Sequence, residues 1–169
     1  MTKTRPIPDG MEGLIPHLVV NDAAKAIEFY KAAFGAEELA RVPSPDGRIM
    51  HAALRVAGST VFLADEFPEN CGGQSRSPTA LKGTPVSLHN YVNDVDAAIG
   101  RALTAGATVK MPATDMFWGD RYGVVEDPFG HQWELATHVK DVSPEEMKRG
   151  AQEMAARAKS KSPGPGQRA

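Results

Sequence analysis

The chain has almost no cysteine: Cys71 stands alone among 169 residues. No disulfide can form within the chain, and cysteine-rich zinc sites are excluded. Cys71 lies in a loop with no pattern around it that would activate a thiol. Long apolar runs are also missing, so no membrane-spanning helix is expected. The opening MTKTRPIPDG is polar and broken by prolines, unlike a signal peptide. An excess of one charge is absent as well: the formal net charge is −2, with acids and bases interspersed, which argues against nucleic-acid or membrane partners. These absences point to a reducing cytoplasm. The hydrophobic share of 41% and charged share of 24% are those of an ordinary globular chain, long enough for one domain or for two small halves sharing a core.

What is present is a pattern that occurs twice. LIPHLVV, Leu14 to Val20, alternates as a strand. Asn21 or Asp22 then caps the helix AAKAIEFYKAAF, which closes at Gly35. Three strand-like segments follow, EELARVPS, RIMHAALRV and STVFLAD, separated by turns at Pro45-Asp46-Gly47 and Ala57-Gly58. A Gly-, Pro- and Ser-rich linker covers residues 67–83. Beyond it come the strand TPVSLHNYV, the cap Asp94, the helix VDAAIGRALTAG, and the strands ATVKMP, RYGVVED and HQWELATH. Sliding the chain by 72 residues lays His17–Ile27 over His89–Ile99 with six of eleven positions identical. The simplest account is a pair of tandem βαβββ modules, about 13–66 and 84–138, each too small to bury its own sheet. Residues 1–12 are expected to be flexible. SPEEMKRGAQEMAARAK opens with a capping box at Ser143 and predicts a helix over 143–160, weakened by Gly150. Residues 161–169 read as a disordered tail.

Alternation assigns the faces. Leu14, Leu18, Val20, Val61, Leu63, Val86, Leu88, Val92, Trp133 and Leu135 should lie under the helices. Ile15, His17, Val19, Thr60, Phe62, Ser87, His89, Tyr91, Gln132 and Glu134 form the opposite, mixed face, which suits a small-molecule cleft. A solvated outer face is the alternative. His51 reads as a packed or edge residue on a strand that can reach the cleft, and His138 as solvent-facing.

LVVNDAAKAIEFYKAAFGAE, RIMHAALRVAGSTVFLADE, YVNDVDAAIGRALTAGATV and GDRYGVVEDPFGHQWELATH together resemble the vicinal-oxygen-chelate superfamily, also called the glyoxalase / bleomycin-resistance / dioxygenase fold. HAALRVAG and WGDRYGVVEDPFGH further resemble its PhnB-like branch. The resemblance covers about residues 12–138. It implies an α+β fold in which two tandem βαβββ modules build a curved eight-stranded mixed sheet around a cleft, followed by a C-terminal helix, and usually a homodimer. Metal-using members carry one ligand on each of four cleft strands, positions that fall here on Ile15, Phe62, Ser87 and Glu134. Only Glu134 can coordinate a metal. His17 and His89 lie two residues, about 7 Å, further along their strands. A shifted His17/His89/Glu134 site for Zn, Ni, Fe or Mn is one reading, acid–base use of the same residues a second, and ligand positioning a third.

Three functions follow. A glyoxalase-like lyase or isomerase would transfer a proton beside a carbonyl, with Glu134 as base or ligand and His17 and His89 as electrophiles. A drug-sequestering protein would hold a planar compound among Phe62, Tyr91 and Trp118, with Arg121 suited to an anionic or planar group unless it pairs with Asp120 or Asp127. A dioxygenase would need a His₂-carboxylate iron site, which the offset histidines do not match.

Overall fold

The computed structural model describes residues 4–161, and the side chains of Lys159 and Lys161 are not among those described. From residue 162 onward, the expected tail lies outside the described residues. The first module is β1 (His17–Val20), α1 (Ala23–Phe34), β2 (Glu37–Pro43), β3 (Ile49–Val56) and β4 (Ser59–Asp65). After a 3-10 turn at Pro68–Asn70 and the single turn α2 (Pro78–Leu81), the second module repeats the order. It consists of β5 (Ser87–Tyr91), α3 (Val95–Ala105), β6 (Thr108–Asp115), β7 (Asp120–Glu126) and β8 (Gln132–His138), and α4 (Pro144–Lys161) follows.

The eight strands form two four-stranded mixed sheets, ordered β1-β4-β3-β2 and β5-β8-β7-β6. In each, the strand before the helix runs parallel to the last strand, and the other pairs are antiparallel. The modules are equivalent in register: His17 lies beside Phe62, and His89 beside Glu134.

Capping residues set the helix limits as the sequence predicts. The Asp22 side chain accepts from the Lys25 amide and Asp94 from that of Ala97, while Gly35 and Gly106 close the helices in the left-handed region. At the start of α4 the Ser143 hydroxyl accepts from the Glu146 amide, and the Glu146 carboxylate from the Ser143 amide. Gly150 has a packing reason to interrupt α4: a Cβ there would stand 2.6 Å from the Phe117 Cβ. The helix docks through this gap on the loop between β6 and β7.

α1 packs on the first sheet, α3 on the second, and the two helices pack against each other, giving one core from both modules. Leu18, Val20, Val61, Leu63, Trp133 and Leu135 are buried there as alternation predicts. Leu14 and Val86 are not: their exposures are 101% and 63%. Both precede the strands to which alternation had joined them, Leu14 ahead of Pro16 and Val86 just after Pro85. Proline has no amide to give to a sheet ladder. The buried Asp127 ties the modules together. It accepts from the Tyr30 hydroxyl at 2.7 Å, from the Trp133 indole at 3.1 Å, and from the amides of Phe129 and His131.

Candidate functional site

Because the helices occupy the inner face of each sheet, the mixed faces look outward. Among the described residues, no strand of one sheet is hydrogen-bonded to a strand of the other. One chain therefore presents two half-sites.

The half-site of the second module centres on Glu134. The Ser87 hydroxyl donates to its Oε1 at 2.6 Å, and His89 Nδ1 lies 3.1 Å from Oε2. Tyr122 stands near the same carboxylate and adds to its acidity. The Ser87 bond, helped by His89 and Tyr122 and opposed by burial, holds the carboxyl below its usual range. Burial and the Glu134 charge in turn raise the Tyr122 phenol. Aromatic rings surround the group: His89 stacks on Tyr122 at 6.1 Å, Tyr91 meets His89 edge-on at 4.9 Å, and Trp118 meets Tyr122 at 5.8 Å.

The half-site of the first module has no acid. His17, His51 and Phe62 cluster, with ring centroids 6.2 Å apart for the two histidines and 4.7 Å for His51 and Phe62. Burial, then the neighbouring His51, lowers the His17 pKa below its ordinary 6.5. His17 and Phe62 thus stand on a different sheet from Glu134, although His89, Tyr91 and Trp118 surround it. Arg121 is on the helix side of β7, gripped by Asp96 at 2.6 and 2.9 Å and by Asp115 at 3.0 Å. It does not reach the Glu134 face, and its partners are neither Asp120 nor Asp127. His138 is exposed but not unattached, since both its ring nitrogens face carboxylates.

The fit to a metal can be judged from the donors. Glu134 and His89 converge, but His17 turns to His51 and Phe62. Among the described residues no group of three or more His, Cys, Asp or Glu side chains is arranged to hold a metal ion. The donor set of one chain therefore does not fit a divalent cation.

Sequence reasoning overlooked Tyr122 and gave His51 a minor place. The repeat itself holds the signal. Ala53 pairs with Phe62 and Val124 with Glu134, so His51 and Tyr122, each two residues earlier, are equivalent positions on the same faces.

The profile of the Glyoxalase/Bleomycin resistance protein/Dioxygenase superfamily matches residues 14–135. The chain is 59% identical over 134 residues to "Uncharacterized protein Rv0887c" of Mycobacterium tuberculosis, covering 79% of each chain. Among solved structures it is similar to TioX from Micromonospora sp. ML1, at 29% identity and a TM-score of 0.55 over 75% of this chain and all of that one. It is also similar to the Arabidopsis thaliana At5g48480 product, at 29% identity and a TM-score of 0.59 over 73% and 97%. No helix among the described residues is long and apolar enough to cross a membrane. The chain belongs to the Glyoxalase/Bleomycin resistance protein/Dioxygenase superfamily.

Proposed function

We propose that the protein is a glyoxalase-like lyase or isomerase that moves a proton beside a carbonyl of a small molecule, on the Glu134 face. The observation that carries this reading is the His89–Glu134 contact at 3.1 Å. A carboxylate facing Nδ1 favours the tautomer with its proton there, which leaves Nε2 to take a proton. Glu134, held anionic by Ser87, would orient His89 and stabilise the imidazolium once formed. It would not itself be the base, because a carboxyl below its usual range is a weak one.

The developing enolate oxygen needs a donor, and the outward face of the first sheet supplies His17. Its lowered pKa keeps it a neutral imidazole, able to donate without a prior loss of charge. Within one chain the two faces are apart, so this reading includes a homodimer in which the His17 face of one copy covers the His89–Glu134 face of the other. Two imidazoles opposite a carboxylate offer it N–H donors, and the exposed Tyr91 and Met50 would be partly covered. Phe62 would then join Tyr91 and Trp118 in contact with the small molecule.

The test is solvent-deuterium exchange, read by proton NMR, at carbon next to the carbonyl across a panel of small hydroxy- and oxo-carbonyl compounds. Exchange by wild type that falls in His89→Gln and Glu134→Gln supports the proposal. Exchange that survives in His89→Gln contradicts it.

A second reading, binding without catalysis as in drug sequestration, is favoured by the run of rings Tyr91, His89, Tyr122 and Trp118. It predicts that planar aromatic compounds raise the melting temperature, that Trp118→Ala removes the effect, and that no compound exchanges.

A further inference from the structure

Above the Glu134 face, two residues given contact roles meet on one buried carboxylate. Asp120 is 4% exposed. It accepts from the Tyr91 hydroxyl at 2.8 Å on Oδ2, while its Oδ1 lies 2.8 Å from His138 Nδ1. Trp118, two residues before it, also helps to keep this carboxylate charged. His138 Nε2 lies 3.0 Å from Asp141 Oδ1. The surroundings are otherwise sparse in charge. Asp120 faces His138 from β7 and Asp141 from the segment after β8. Tyr91 of β5 reaches it only through Asp120, and the neighbouring Lys140 is paired with Glu146 of α4 at 3.1 Å.

This geometry dictates a charge state. A neutral imidazole has one N–H and cannot donate to two carboxylates. With both nitrogens against carboxylate oxygens, the ring is an imidazolium. Once it loses a proton, one contact becomes lone pair against lone pair.

We infer that His138 is a positioning residue that acts through Asp120: as an imidazolium clamped by Asp120 and Asp141 it fixes the carboxylate that orients Tyr91 and Trp118, and its deprotonation releases this rim. The inference rests on the reading that the Glu134 face takes a small molecule, and it adds a pH control to that face. The sign follows from the partners. The bonds to Asp141 and Asp120 raise the His138 pKa above 6.5, so the clamp is complete below that value and is lost as pH rises through the raised one. Asp120 stays charged throughout: burial pushes it up, but the bonds from His138 and Tyr91, with help from Trp118, outweigh burial and hold it low.

Trp118 reports the rim directly, since the only other tryptophan, Trp133, is buried at 3% exposure. The experiment is acrylamide quenching of tryptophan emission between about pH 5 and pH 9, the range in which a perturbed histidine titrates. Wild type is expected to show a one-proton rise in quenching with its midpoint above 6.5. His138→Gln should lose that transition. Asp141→Asn, a change at a fully exposed site, should move the midpoint down, and Trp118→Phe should remove the signal. A transition unchanged in His138→Gln, or none in wild type, overturns the inference. No ligand is used, so this failure is separate from a failure of the small-molecule reading, which would leave the titration intact.

Discussion

The two modules present the same backbone and different chemistry. In the first, His17 lies beside Phe62 in register, with His51 on the next strand; in the second, His89 lies beside Glu134, with Tyr122 in the place of His51. The acid in place of a phenyl ring gives its neighbours a charge to face. Around Glu134 the Ser87 hydroxyl and the His89 ring converge, and the carboxyl is held low. Around Phe62 the imidazoles meet only rings, and His17 is lowered by burial and by His51. A duplicated scaffold can thus offer a charged face and a neutral face that complement each other.

The hairpin turns differ as well, and there the largest effect is expected. The turn after β7 carries Asp127, whose bonds reach α1 of the other module; the turn after β3 is only Ala57 and Gly58. Asp127→Ala strands the Tyr30 hydroxyl and the Trp133 indole in the core and should cost about 3 kcal/mol or more by urea unfolding. A cost below about 1 kcal/mol would show that the modules do not depend on this link.

Phe62→Glu gives the His17–His51 cluster the acid it lacks. Added Ni²⁺ at about a hundred times its Kd should then raise the melting temperature by roughly 5 °C, with no rise in wild type. Equal shifts in the two proteins would mean that the acid at this register position is not what distinguishes the faces.

Ala57 adopts φ 49°, a conformation that glycine takes without strain. Ala57→Gly should leave stability unchanged or raise it by up to about 1 kcal/mol, in contrast with Asp127→Ala. A clear loss would point to an unrecognised role for that turn.

The smallest effect concerns Ser87. A carboxyl held below 4.5 contributes stability that is present above that value and lost as pH falls through the folded one. Ser87→Ala removes the first cause of the lowering, so the variant should be less stable near neutral pH, and its acid loss of stability should be smaller and complete at a higher pH. An unchanged acid limb in thermal melts would rule out Ser87 as the group that holds Glu134.

Much of this was legible in the sequence. Helix limits followed from Asp22, Gly35, Asp94 and Gly106, because caps are local chemistry. The repeat exposed the module order, and alternation put His89 and Glu134 on one face of the second sheet and His17 on the matching face of the first. Leu14 and Val86 were misplaced because alternation does not register where a strand begins, although Pro16 and Pro85 marked the limit. Arg121 was expected at the cleft rim because a loop has no parity, and the structure pairs it with Asp96 and Asp115. Once Asp120 of β7 pairs with His138 of β8, Arg121 must face α3 and Tyr122 the site. That two half-sites face outward, on separate sheets, depends on how α1 and α3 meet, and no periodicity within one helix encodes that.

The central claim is that an intact site needs His17 from one copy and the His89–Glu134 pair from another. Mixing His17→Gln chains with His89→Gln chains, after unfolding and refolding together, tests it most directly. Each variant alone should have lost deuterium exchange. The mixture should recover roughly a quarter of wild-type exchange, because half the dimers are mixed and each of those has one intact site of two. No recovery above the separate variants would contradict the account.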